Sequence, residues 1–256
     1  MEEKMENILE VKDLCKTYIV NSNSNNVLCN VNFKMRPGEF VTVMGPSGSG
    51  KSTLLYTVSG MDNVTAGEVT FCEKKLTSMK KKEMMSTRLH KMGFIFQQMY
   101  MMKKLCIFDN IVLPGYQTGE DRKTVNARAE QLMRRLGIIE IAENQINEVS
   151  GGQLQRACLC RALINQPDII FADEPTGALN SKAASGVMDE LLKANQEGTS
   201  VLMVTHSVKV AARSERAIYL VDGGIQGELN LGKMDENSDL KEREKKLNAW
   251  LLERGW

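Results

Sequence analysis

With 256 residues, 42% of them hydrophobic and 25% charged, the chain has the composition of a globular protein, with room for one large domain and a small appendage. A formal net charge of +1 supplies no positive field to gather phosphates, so no nucleic-acid partner is expected. No apolar run approaches the roughly 18 residues that read as a transmembrane helix, and the charged first ten residues lack a signal peptide's apolar stretch. The expectation is a cytoplasmic protein that reaches a membrane only through a partner.

In chain order, short β-rich segments come first, at residues 8–14, 27–35 and 39–44. The third runs directly into a glycine-rich loop and a helix beginning near Lys51. Residues 65–71 read as another strand, and from about 76 to 147 the character turns helical. There Val125, Ala129, Leu132, Met133 and Leu136 fall on one face of an amphipathic helix. After Ser150 helix and strand alternate. Residues 169–173 and 200–205 are apolar runs suited to a parallel sheet buried on both faces. Gly223 and Gly224 mark a turn, and a charged helical tail follows. The pattern predicts an α/β fold: a core with a parallel sheet, an antiparallel β subdomain on the N-terminal side and an inserted α-helical subdomain. Six scattered cysteines with no Cys-x-x-Cys pair, and only two histidines, read as free buried thiols rather than a metal site.

Residues 45–53, Gly45-Pro46-Ser47-Gly48-Ser49-Gly50-Lys51-Ser52-Thr53, form a complete G-x-x-x-x-G-K-[ST] loop. The glycines let the backbone curl so that successive N–H groups face an anion, and the helix that follows adds the positive end of its dipole. Lys51 is placed to reach the β- and γ-phosphates of a nucleotide, and Ser52 to offer its hydroxyl to Mg²⁺.

Residues 168–175 read Asp-Ile-Ile-Phe-Ala-Asp-Glu-Pro, a buried strand ending in two acids at the edge where ligands bind in such sheets. Asp173 would orient magnesium and its waters, and Glu174 would polarise the attacking water as general base. Further on, Ser150-Gly151-Gly152-Gln153 opens a strongly helical stretch. Ser150 and Gln153 make a capping box. That leaves two glycines in the first turn, each costing about 1 kcal/mol of helix propensity; a ligand approaching the bare amides would account for them.

At this point the sequence resembles the ATP-binding cassette family over nearly its whole length. Residues 45–53 match the family's Walker A, 169–174 its Walker B and 150–153 its signature. The resemblance implies that Gln97, after a strand at 93–96, is the Q-loop glutamine that senses magnesium and couples to a permease. It likewise implies that His206 is the switch histidine contacting the γ-phosphate and that Tyr18 stacks on adenine. ATP and Mg²⁺ are the implied ligands, with Ser52, Gln97 and Asp173 around the metal and Lys51, Gln97, Glu174 and His206 in the chemistry. Each ATP would lie between the Walker A of one copy and the signature of a second. The implied division is a cassette over 1–234, its helical subdomain at about 98–160, and a helical tail at 235–256.

Two positions depart from the family pattern. Val149 stands before the signature in place of the usual leucine, and Asn180 stands in the D-loop, Gly177-Ala178-Leu179-Asn180, where aspartate is usual. Within transporters, residues 45–55, 93–97, 110–114 and 172–179 resemble the branch serving macrolide export, lipoprotein release and resistance to antimicrobial peptides. This implies a separate permease with an extracytoplasmic domain, and places the chain on the inner face of the membrane. Met99, Met101 and Met102 suit either core filling or permease docking. Lys80, Lys81 and Lys82 read as a solvated face. Leu240, Leu247, Trp250 and Leu251 give the tail an apolar face expected to pack on its own domain.

Overall fold

In the computed structural model the described residues are 6–21, 23–177, 179–235 and 238–256. In chain order they form β1 (Leu9–Val20), β2 (Asn23–Met35), β3 (Phe40–Met44), α1 (Lys51–Val58), β4 (Ala66–Phe71), β5 (Lys74–Lys75) and α2 (Lys81–Lys91). Then come β6 (Met92–Ile95), α3 (Ile107–Gln117), α4 (Arg122–Arg135), α5 (Gly151–Leu163), β7 (Ile169–Asp173) and α6 (Ser181–Gln196). The last elements are β8 (Ser200–Val204), α7 (Val208–Ala211), β9 (Arg216–Val221), β10 (Gly224–Asn230) and α8 (Leu240–Leu252). Two compact units result, one from the segments up to Met84 and from Ser200 onward, the other from Met85–Thr199. Residues 1–5, part of the charged N-terminus, and Ala178 of the D-loop stretch lie outside the described residues.

In the first unit an antiparallel sheet runs β2-β1-β4-β5. The β1–β2 hairpin is longer than the apolar alternation predicts, with Tyr18 opposite Asn25 and Ile19 opposite Ser24. Residues 23–26 of β2 are polar and exposed, so pairing rather than hydrophobicity extends this part of the strand. The register shifts between Leu14 and Lys16, and across from it Asn30 adopts φ 51. This bulge explains why the buried positions of β2 step from Leu28 to Val31 before resuming a period of two through Phe33 and Met35. The same unit holds the strand order β10-β9-β3-β8, in which β3 is parallel to both β8 and β9. Every residue of β3 and β8 is buried, the polar Thr42 and Ser200 included. At the entrance to β3 the buried Glu39 carboxylate accepts from Arg216 Nε at 2.8 Å and from the Arg36 N–H at 2.9 Å, tying β3 to β9.

In the second unit β6 and β7 pair in parallel, Ile95 opposite Ala172. Helices α3, α4 and α5 pack together beside them. The predicted face of α4 buries Val125, Ala129, Met133 and, just past its end, Leu136, while Leu132 stays partly exposed. Arg135 ties α4 to α6 through Glu190 at 2.7 Å and reaches Glu197 at 3.2 Å.

All six cysteines are free, and two, Cys158 and Cys160, are buried. Burial pushes the Cys158 thiol up to about 11 and that of Cys160 higher still, which makes both inert. The expectation of buried thiols fails for the others: Cys29 is exposed, and Cys15, Cys72 and Cys106 are partly so. Residues Lys80, Lys81 and Lys82 are exposed, as a solvated face requires. The tail helix α8 packs on its own unit, with Leu247 and Leu251 buried against Met44, Ala211, Ala212 and Tyr219.

Candidate functional site

Strand β3 ends at Met44 and delivers the chain into the 45–53 loop, which closes onto α1. Gly48 and Gly50 take φ of 81 and 97, backbone that L side chains adopt with strain. Gly45 has a different reason: an added Cβ would lie 2.1 Å from the Leu220 carbonyl oxygen. Gly50 caps α1 without a side-chain bond, and the first turn carries no acid, so the positive end of the helix keeps its full field. Lys51 Nζ lies across the loop, donating to the carbonyls of Gly45 at 2.9 Å and Pro46 at 2.8 Å. Ser49 is buried with its hydroxyl turned toward Gly45, and its N–H donates to Pro46 O at 3.3 Å. Pro46, Ser47 and Gly48 are exposed, and Lys51, Ser52 and Thr53 partly so.

The parallel register sets Val43 opposite Val204. The glycine loop and the segment leaving β8 therefore emerge at the same end of the sheet, and His206 lies on that segment, exposed. The Thr205 N–H donates to Val43 O at 3.2 Å. The Ser207 hydroxyl caps α7 by accepting from Val210 N, which turns the chain just beyond the histidine.

Tyr18, 37% exposed, sits on the antiparallel sheet of the same unit. Its hydroxyl donates to Asp62 Oδ2 at 2.6 Å. Lys16 Nζ donates to Asp62 Oδ1 at 2.7 Å and lies 4.7 Å from the Tyr18 ring centroid. Burial is the largest influence raising the Tyr18 pKa, followed by the bond to Asp62. For Asp62 burial acts upward, but the bonds from Lys16, Tyr18 and the Asn63 N–H outweigh it and hold the carboxyl below its ordinary value. The ring is thus held by Asp62 at its hydroxyl and by the Lys16 ammonium over one face. Neither Lys16 nor Asp62 carries a motif signal, and sequence reasoning missed both.

In the second unit, the parallel pairing of β6 with β7 brings Gln97 and Asp173–Glu174 to one end of the strands. Asp173 is buried at 2% exposure and Glu174, at φ 45, starts a tight turn closed by the Gly177 N–H to the Glu174 carbonyl at 3.0 Å. Gln97 is exposed. The turn is held from behind by the buried Gln155, whose Nε2 donates to Pro175 O at 2.8 Å. Gln155 lies one turn into α5, so it connects residues 150–153 to Glu174, a link no motif announced.

The capping box on α5 is present: Ser150 N donates to Gln153 Oε1 at 2.9 Å and Gln153 N to Ser150 Oγ at 3.3 Å. Nothing lies within 4 Å of a Cβ added to Gly151, so internal packing of the described residues does not demand glycine there. Gly152 packs more closely, 3.2 Å from the Ala183 Cβ. Asn180 caps α6, its side chain accepting from Ala183 N at 2.9 Å.

Beyond Gln97 the chain is clamped by Arg161, which donates to Met99 O and Tyr100 O, both at 2.8 Å, and by buried Asn110, which exchanges bonds with Met102 N and O. Met101 is buried, whereas Tyr100 and Met102 are 63% and 54% exposed.

Chemically, the first unit offers a glycine loop crossed by a lysine, and an exposed imidazole on the segment leaving β8. The second offers a buried carboxylate, a more accessible one beside it, and a glycine-opened helix N-terminus. The Ser52 hydroxyl, Asp173 carboxylate and Gln97 amide are hard oxygen donors of the kind Mg²⁺ takes. Among the described residues no group of three or more His, Cys, Asp and Glu could hold a metal ion.

A family model described as ABC transporter matches residues 28–177. The bacitracin export ATP-binding protein BceA of Halalkalibacterium halodurans is 39% identical over 236 residues, covering 92% of this chain and 93% of that protein. The lipoprotein-releasing system ATP-binding protein LolD of Aquifex aeolicus is 39% identical over 203 residues, covering 79% of this chain and 91% of that one. The solved post-hydrolysis dimer of the cassette MJ0796 of Methanocaldococcus jannaschii, bound to ADP and Pi, superposes with a TM-score of 0.83 at 37% identity, covering 88% of this chain and all of that one. On the match over residues 28–177 and these extensive likenesses, the chain belongs to the ABC transporter family, as an ATP-binding cassette.

Proposed function

We propose that this chain binds and hydrolyses ATP with Mg²⁺, closing on a second copy to drive a separate permease. The observation that carries this reading is the 45–53 loop: glycines at φ values that other residues adopt only with strain, an α1 start with neither side-chain cap nor acid, and Lys51 lying across it. Lys51 holds the β- and γ-phosphates, and Ser52 offers its hydroxyl to the metal. His206 contacts the γ-phosphate and Tyr18 carries the adenine ring. In the other unit Asp173 orients the metal's waters with Gln97, and Glu174 accepts the proton of the attacking water. Mg²⁺, when bound, supplies charge neutralisation on the phosphates. Residues 150–153 present amides to the nucleotide of the partner copy, in a two-fold head-to-tail arrangement. Residues 1–234 serve as the cassette, with its helical subdomain at about 98–160, and the helix after 235 as an appendage.

The permease transmits force to an extracytoplasmic domain, in resistance to or export of antimicrobial peptides, and holds this chain at the inner face of the membrane. Support comes from the likeness to BceA over 92% of the chain. A lipoprotein-release role is the second reading, favoured by the likeness to LolD. Docking falls to Tyr100 and Met102, the exposed apolar residues after Gln97, and not to the buried Met101.

ATP affinity and turnover of two variants test the core of this reading. Lys51→Ala weakens ATP binding. Glu174→Gln leaves binding intact and slows turnover by about 10² to 10⁴. Parental turnover in Glu174→Gln contradicts the base assignment, and parental affinity in Lys51→Ala contradicts the phosphate cradle.

A further inference from the structure

We propose that the C-terminal helix α8 is a strut behind the nucleotide site and that Arg243 is its pin, a positioning residue for ATP binding and hydrolysis. This rests on the reading of residues 45–53 as the phosphate cradle.

Arg243 is 9% exposed, and its guanidinium donates to four backbone carbonyls. Nε reaches Ala212 O at 2.8 Å, Nη1 reaches Leu231 O at 2.8 Å, and Nη2 reaches Ser214 O at 2.7 Å and Gly232 O at 3.0 Å. Two of these acceptors follow α7 and two follow β10. The pin therefore fixes α8 against both ends of the β9–β10 hairpin. Arginine's fork of donors suits this role, because one rigid plane satisfies several carbonyls at once. Burial of a charge without such bonds is costly, so the arrangement is specific rather than incidental.

Pinned there, α8 lays Leu247 and Leu251 on Met44 and Tyr219. Met44 immediately precedes the glycine loop and is paired with Tyr219. The residues after Tyr219 touch the loop twice. The Leu220 carbonyl lies so close to Gly45 that no Cβ fits between them, and the Gly223 N–H donates to Ser49 O at 3.2 Å. The same face of α8 covers Ala211 and Ala212 at the end of α7. That four-residue helix begins two residues after His206. One helix therefore backs the root of the phosphate loop and the element that follows the histidine. Interiors packed at this density transmit displacement rather than absorb it.

The test compares Arg243→Met, Arg243→Lys and Leu251→Ala with the parent, at a temperature where circular dichroism shows each fully folded. ATP Kd, KM and kcat are measured on the full chain. A strut role predicts that Arg243→Met weakens ATP binding about fivefold or more and lowers kcat about tenfold, within the range that a displacement of about 1 Å produces. Arg243→Lys recovers part of both, and Leu251→Ala shifts the same parameters without touching the guanidinium. Lower melting temperatures with parental Kd, KM and kcat in the folded proteins would overturn the proposal and leave α8 a stabilising cap only. If Arg243→Met does not fold, Leu251→Ala decides on the same readouts. Loss of binding in Lys51→Ala alongside parental behaviour in the α8 variants rejects the strut while keeping the cradle; parental binding in Lys51→Ala rejects the cradle itself.

Discussion

Thr42 stands in the middle of β3, fully buried, and its hydroxyl has no hydrogen-bond partner among the described residues. A buried polar group left unpaired costs about 1–3 kcal/mol. Valine has the same branching and suits a strand equally well. Thr42→Val is therefore expected to stabilise the protein by about 1 kcal/mol, raising the melting temperature by about 2–4 °C. A lowered melting temperature in differential scanning calorimetry contradicts this. Residues of this kind mark what the sequence left hidden. The catalytic candidates were legible because phosphate and metal chemistry constrains residue type and spacing together. Asp62, Gln155 and Arg243 were not, because each acts through a backbone carbonyl or a side chain distant in sequence. Arg243 reads in isolation as one more charge on a solvated helix, and only the four carbonyls around it reveal otherwise.

Among the elements, the buried strands were the most legible, since β3, β7 and β8 are short, largely apolar runs bounded by loops. The β1–β2 hairpin was underread because the outer half of β2, residues 23–26, is polar on both faces. Helix α6 bears directly on the departure at Asn180. Aspartate and asparagine cap helices comparably, and aspartate adds a charge that the helix dipole favours. Asn180→Asp is thus expected to leave stability within a few tenths of a kcal/mol while altering ATP cooperativity in the presence of the permease. Asn180→Ala removes the bond to Ala183 N and costs about 1 kcal/mol. Thermal melts of both variants check the first contrast. An unchanged Hill coefficient in Asn180→Asp contradicts the coupling role.

For the whole molecule, the proposed catalytic set is shared between two compact units. The loop with Lys51 and the segment with His206 belong to one, and Gln97, Glu174 and the 150–153 turn belong to the other. Fold class was legible because the order of motifs along the chain carries it. The docking of the tail against Met44 and Tyr219 was foreseen only as packing of an apolar stripe, since helical spacing names a face but not its partner. At this scale the proposed cycle has ATP itself joining two copies and hydrolysis through Glu174 releasing them. Mass measurement by light scattering on Glu174→Gln, with and without ATP, tests it most directly. Twice the monomer mass is expected with ATP and Mg²⁺, and the monomer mass without nucleotide or with Lys51→Ala added. A Glu174→Gln protein that binds ATP to saturation yet stays monomeric at micromolar concentration would contradict it.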